Sequence, residues 1–242
     1  MARTKIEWTD ESWNPITGCT KISTGCKNCY AERLAERFRG IKGHPYEQGF
    51  DLKWHPGRLK IPFHWRKPCR VFVCSMSDLF QDGIDTQWIE DIFSVMRGCP
   101  QHTFQVLTKR PEAMASYLNE WAHTGECPPN VWLGTSVEDQ ENADMRIPDL
   151  LRCQTTVRFL SIEPMLRSID PTSMLKGIDW VIVGCESGPK RRTFDLEWAR
   201  SILAQCRAAN VPLFIKQLSI NGRVLKDPAD WPADLRMREW PR

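Results

Sequence analysis

Long apolar runs are missing from this chain. No segment approaches the roughly 20 residues that a membrane-spanning helix needs, so no membrane partner is expected. The start, Met1-Ala2-Arg3-Thr4-Lys5, runs straight into polar residues and lacks the apolar stretch of a secretory signal, so a cytoplasmic location is expected. A strong charge of one sign is missing too. The 33 Lys and Arg against 30 Asp and Glu leave +3, which permits a nucleic-acid partner without demanding one. No Gly-x-Gly-x-x-Gly follows any strand-like segment, which removes the phosphate fingerprint of a dinucleotide-binding fold. Only one Cys-x-x-Cys pair occurs, where zinc ribbons usually show two. No internal repeat is visible.

Cysteine is plentiful, with ten in 242 residues. In a reducing compartment cysteines bind metal or fill core more often than they form bridges. Seven (Cys69, Cys74, Cys99, Cys127, Cys153, Cys185, Cys206) are dispersed, several in apolar runs, and read as small core residues. The other three form a run, Cys19-x6-Cys26-x2-Cys29, between a strand-like segment (Lys5 to Thr9) and a helix-like one (Tyr30 to Arg39). Three thiolates on one loop can hold a metal centre and leave a position open. In an iron–sulfur cluster, where four ligands are usual, the missing ligand leaves one iron free for a substrate or cofactor. A structural zinc site completed by a histidine or Cys69 is the alternative.

From residue 68 onward strands and helices alternate. Short apolar strands run at 70–75, 103–108, 131–136, 157–162, 180–184 and 211–216, with amphipathic helices between them. Strands apolar on both sides are buried on both faces, which means a parallel sheet covered by helices. With the N-terminal segment this makes seven candidate strands and an α/β fold, a partial or complete (β/α) TIM-type barrel with parallel strands and outer helices. One barrel domain is expected over 1–220, with a loop-rich, Pro- and His-containing insertion at 40–68 as a lid or cap. Residues 221–242 are expected to wrap the outside as a tail. The eleven tryptophans, Trp8, Trp13, Trp54 and Trp65 among them, read mainly as packing, with base stacking the minor alternative.

In such folds the working site lies at the carboxyl ends of the strands. Polar residues collect there: Ser75, Ser77 and Asp78, then Lys109, then Ser136 and Glu138, then Glu163, then Cys185 and Glu186, then Lys216. The cysteine loop shares this face. Asp78 and Glu138 read equally well as helix caps. Glu163 and Glu186 directly follow apolar strands, so their desolvation needs a partner such as Lys109, Lys216 or an amine-bearing ligand. Glu163, Glu186, Lys109 and Lys216 are the candidate catalytic groups.

A cysteine-rich loop after the first strand of an α/β barrel resembles the radical S-adenosylmethionine (SAM) enzymes. The chain also resembles a family of phage and prophage proteins called three-Cys-motif proteins. The similar stretches are Trp13 to Cys19, Gly25 to Glu32, Val73 to Phe80, Phe159 to Pro164 and Gly184 to Pro189. Most radical SAM enzymes carry Cys-x3-Cys-x2-Cys, so the first spacer here is three residues longer. They also have an aromatic before the last cysteine, where this chain has Asn28, with Tyr30 just after it. The resemblance implies a [4Fe–4S] cluster on Cys19, Cys26 and Cys29, with S-adenosyl-L-methionine as cofactor. It implies that the methionine amino group meets the open iron and the Ser75–Asp78 loop, although the family's usual Gly-Gly-Glu is absent there. Ser136 and Glu138 would serve ribose or carboxylate, and Tyr30 and the backbone near Cys185 the adenine. An electron donor such as flavodoxin or ferredoxin is expected, and a DNA or RNA substrate leads among the substrates. Two rivals stand beside this reading. One is a non-catalytic module, held by structural zinc or a closed cluster, that binds nucleic acid or a partner protein. The other is a metal-free hydrolase using Glu163 and Glu186 as paired carboxylates.

Overall fold

Alternation along the strands sets the architecture of the protein, seen here in a computed structural model that describes residues 4–121 and 127–241. Met1 to Arg3, part of the polar start discussed above, lie outside the described residues. In chain order the elements are β1 (Glu11–Trp13), β2 (Ile16–Thr17), α1 (Tyr30–Glu36), β3 (Lys53–Trp54), β4 (Arg70–Val73), α2 (Thr86–Gly98), β5 (Thr103–Thr108) and α3 (Pro111–Trp121). Then follow β6 (Val131–Ser136), α4 (Gln140–Leu151), β7 (Arg158–Ile162), β8 (Trp180–Gly184), α5 (Leu196–Ala209), β9 (Leu213–Ile220) and β10 (Arg223–Leu225).

Eight strands form one sheet in the order β1-β4-β5-β6-β7-β8-β9-β10. Neighbours from β1 to β9 are parallel, and β10 pairs antiparallel with β9. Strands β2 and β3 make a separate antiparallel pair. Successive side chains fall on opposite faces. Val71, Val106, Leu133, Leu160, Val181 and Ile215 belong to the core shared with Ile92 and Phe93 of α2, Met114 of α3, Ile147 of α4 and Ile202 of α5. Asp85, Asp139 and Asp195 cap α2, α4 and α5 by accepting from backbone N–H groups. The cap beside Glu138 is therefore Asp139.

The opposite face carries a second, aromatic core: Phe72, Phe159, Trp180 and Phe214, joined by Trp8. Trp8 lies 4.7 Å from the Phe72 ring and 6.4 Å from that of Trp180. Strands β4 and β8 are four places apart, about 19 Å in a flat sheet. One indole touching both means that the sheet curls around Trp8. Among the described residues the sheet's hydrogen bonding runs from β1 to β10 without closing, so the barrel is partial.

The first strand is not where the sequence puts it. Lys5 to Thr9 alternate like a strand, but Ile6 and Trp8 pack into the curl of the sheet. Parallel pairing starts at Glu11 opposite Val71, after Asp10 has bound Arg70 through both backbone and side chain. The sheet also runs on past residue 220. Asn221 (φ 49°) and Gly222 (φ 72°) form a two-residue turn that returns the chain as β10. Beyond it Trp231 and Leu235 are buried, and Trp240 stacks over Trp180 at 5.1 Å. Within 40–68, Trp54 stacks on Trp88 at 5.2 Å and Trp65 meets the edge of His102. No helix among the described residues is long and apolar enough to cross a membrane.

Candidate active site at the carboxyl ends of the strands

Above the aromatic core opens a cavity of about 420 Å³. Ile6, Trp8, Phe72 and Leu107 form its apolar floor. Its walls come from the ends of β4 to β9 and from the cysteine loop. Cys19, Cys26, Cys29, Tyr30, Ser75, Ser77, Asp78, Lys109, Ser136, Glu163, Cys185, Glu186 and Lys216 all line it. Glu138 does not; it is 0% exposed and sits behind the wall.

The cysteine loop is tied to the sheet along its length. At its start, Gly18 N–H donates to Met76 O at 2.9 Å, and Ser77 Oγ and Gln81 Nε2 donate to Gly18 O. Thr20 N–H donates to Gln81 Oε1, and Arg110 donates to Thr20 O and Oγ1 at 3.1 and 2.8 Å. Arg110 also pairs with Asp78 at 3.2 Å. At mid-loop, Ser23 Oγ donates to Glu138 Oε1 at 2.6 Å. Gly25 lies so close that a Cβ there would stand 2.2 Å from the same oxygen, so only glycine fits. At its end, Asn28 Nδ2 donates to Glu186 Oε2 at 3.0 Å and to Lys190 O at 2.9 Å, while Arg192 reaches Thr24 O.

These contacts define what the acidic residues do here. Asp78 accepts from Thr108 Oγ1, Lys109 N–H and Phe80 N–H besides its arginine. Glu138 pairs with Lys109 and with the buried Arg146. Burial works against its charged form, but the two cations outweigh this and hold its carboxyl below the usual range. Glu186 is bound by the Arg192 guanidinium and backbone N–H. Burial again opposes the charge, and the bonds from Arg192 and Asn28 prevail to lower its pKa. Glu138, for which a ribose or carboxylate contact is expected, has Oε1 bonded by Lys109 and Ser23 and Oε2 by Arg146.

Glu163 differs. Among the described residues its ion pair is with Lys216, 2.9 Å from its Oε1. Gly184 makes room for it, since a Cβ there would lie 2.4 Å from Oε1. Burial acts against the Lys216 ammonium, yet the neighbouring carboxylate raises its pKa on balance. Tyr30 donates its hydroxyl to Ser75 O at 2.5 Å, and Ser75 Oγ in turn bonds Asn14. The hydroxyl-bearing Ser136 and Ser161 and the amide of Gln217 complete the wall.

Several residues that partner the acids carry no local sequence signal. Asn28 and Arg192 meet Glu186 across 158 and 6 positions respectively. Arg146 is the exception: it falls on the apolar stripe of α4 with Asn142, Ala143, Ile147 and Leu150, and a charge there requires a buried partner.

Burial pushes the Cys19 thiol up to about 12, with Asp78 adding to the effect, and burial raises Cys29 too. Thiolates at these positions therefore need a cation to stabilise them. Among the described residues no three histidine, cysteine, aspartate or glutamate groups stand close enough to share one metal ion. Among the described residues no histidine lines the cavity. His55 bonds Thr17 at 2.8 Å, His44 stacks on Phe38, and Cys69 lies 3.4 Å from His102 outside the cavity walls. Cys19, Cys26 and Cys29 line the cavity together with Cys185, Asp78, Glu163 and Glu186, and three thiolates on one loop suit an iron–sulfur cluster.

The fold is that of known structures. Spore photoproduct lyase complexed with dinucleoside spore photoproduct superposes with a TM-score of 0.52 at 12% identity over 84% of this chain and 62% of that one. A variant with bound AdoMet and dinucleoside spore photoproduct gives 0.51, also at 12% identity and the same coverage. A further variant gives 0.54 at 11% identity over 86% of this chain and 75% of the other. This chain thus spans under two thirds of the length of the first of these. No curated protein matches it in sequence. A family model does match, from residue 3 to residue 227, and on that extent the chain belongs to the family described as Protein of unknown function (DUF5131).

Proposed function

We propose that the protein is a radical SAM-type enzyme acting on a nucleic acid. The observation that carries this reading is that all three cysteines line one cavity at the carboxyl ends of a parallel, curled sheet. Cys19, Cys26 and Cys29 would hold a [4Fe–4S] cluster, which with S-adenosyl-L-methionine would supply one-electron, hydrogen-abstracting chemistry at the cavity. The chain's own residues would do the rest. Tyr30 and Ser75 border the space for the cofactor, and Ser136 and the backbone at Cys185 flank it. The Lys216–Glu163 pair would orient a polar group of cofactor or substrate. Trp8, Phe72 and Leu107 would exclude water from below.

The nucleic-acid part of the reading draws on the likeness to a lyase whose structures hold a dinucleoside photoproduct. The mild excess of basic residues permits it. An external one-electron donor of flavodoxin or ferredoxin type is required by the chemistry. The phage origin suggested by the sequence resemblance would make nucleic-acid repair or modification a fitting role.

The test is anaerobic protein given SAM and dithionite. Release of 5′-deoxyadenosine, together with salt-sensitive binding of oligonucleotides, is expected. No 5′-deoxyadenosine from cluster-loaded protein would end the catalytic reading. Flat, negligible oligonucleotide binding would redirect it to a small-molecule substrate.

A further inference from the structure

Three carboxylates stand at the ends of three different strands, and each is tied, directly or through one arginine, to a loop residue within three positions of a different cysteine. Asp78, beyond β4, holds Arg110, which grips Thr20 beside Cys19. Glu138, beyond β6, takes the Ser23 hydroxyl and lies against Gly25, and Cys26 N–H bonds back to Ser23 O at 3.0 Å. Glu186, beyond β8, takes the side-chain amide of Asn28 beside Cys29. Every one of these acids also carries a cation: Arg110, Lys109 with Arg146, and Arg192.

We propose that Asp78, Glu138 and Glu186 are positioning residues that moor the three cysteines, one strand end per thiol, rather than groups that meet cofactor or substrate. The proposal rests on Cys19, Cys26 and Cys29 being the cluster ligands. It accounts for two departures of the loop from the spacing and sequence usual in radical SAM enzymes. The longer first spacer contains Ser23, Thr24 and Gly25, the residues that reach Glu138, Asp139 and Arg192. The position before the last cysteine is an asparagine because its amide must serve both Glu186 and Lys190 O, which an aromatic ring cannot do. It also leaves Glu163, paired among the described residues with Lys216, as the cavity carboxylate available to a ligand.

The mooring can be read without any cluster, so its failure is separate from failure of the iron–sulfur reading. In the metal-free full-length chain, alkylation rates of individual cysteines are measured by peptide mapping for three variants that leave the charge unchanged: Thr20→Val, Ser23→Ala and Asn28→Ala. Loss of these side-chain contacts, one at Thr20, two at Ser23 (Glu138 and Cys26 Sγ) and two at Asn28, should speed the neighbouring thiol, Cys19, Cys26 or Cys29 respectively, by about tenfold over the other two. Ser23→Thr, which keeps the hydroxyl, should restore the original Cys26 rate. The buried Cys99 reports global unfolding in the same sample. If no rate changes, or if all three rise together with Cys99 whichever tie is cut, the one-to-one mooring is wrong.

Discussion

Glu138 and Glu186 show how a charge can be buried at a strand end. Each loses hydration, and each recovers it through cations and hydrogen bonds aimed at both oxygens. Their folded-state pKa values are depressed, so their stabilising contribution is fully present above the ordinary value of 4.5 and is lost as pH falls below it. Amide hydrogen exchange at Cys26 and Lys27, whose N–H groups bond Ser23 O and Thr24 O, corrected for intrinsic rate, should accelerate between about pH 5.5 and about pH 3.5. Equal protection at the two pH values would contradict this account. Lys216 and Glu163 form a two-member pair and should behave as one in a double-mutant cycle. Lys216→Met or Glu163→Gln alone should each cost about 1–3 kcal/mol in denaturant unfolding, and the double variant less than their sum. Strict additivity would mean that the pair is not coupled. From sequence alone the positions of all these acids were legible, because a carboxylate straight after an apolar strand must be paired. Which were already paired within the protein was not legible, because the partners Arg192, Asn28 and Ser23 are set by loop docking.

At the scale of elements, the periodic parts read well. The helices α2, α4 and α5 start one residue after an aspartate cap and bury the stripe their spacing implies. Two elements did not read. The alternation of Lys5 to Thr9 is that of a strand, and nothing local says that Ile6 and Trp8 fill the inside of a curled sheet instead of lying in it. The β9–β10 hairpin did carry a signal, the Asn221-Gly222 pair, which suits two successive left-handed residues. A Cβ at Gly222 would meet nothing within 4 Å, so its substitution tests backbone conformation alone. Gly222→Ala should cost about 1 kcal/mol and lower Tm by about 2–4 °C in calorimetry. An unchanged Tm would mean that this hairpin lies outside the cooperative unit.

The whole molecule is a partial barrel with an aromatic floor, an open polar mouth and a cysteine loop laid across it. The architecture followed from apolar strands separated by amphipathic helices. The location of the site followed from the polar residues at their ends, with the cysteine trio on the same face. What neither pattern could supply is the curvature, which depends on Trp8 reaching rings on β4 and β8 at once. The central claim is that the three thiols at this mouth carry an iron–sulfur cluster. It is tested most directly by iron, acid-labile sulfide and zinc analysis with a visible spectrum, on wild-type and Cys26→Ser protein purified without oxygen. The account predicts about four irons and four sulfides per wild-type chain, absorbance that bleaches on reduction, and loss of most of both in the variant. One zinc per chain and no iron would contradict it.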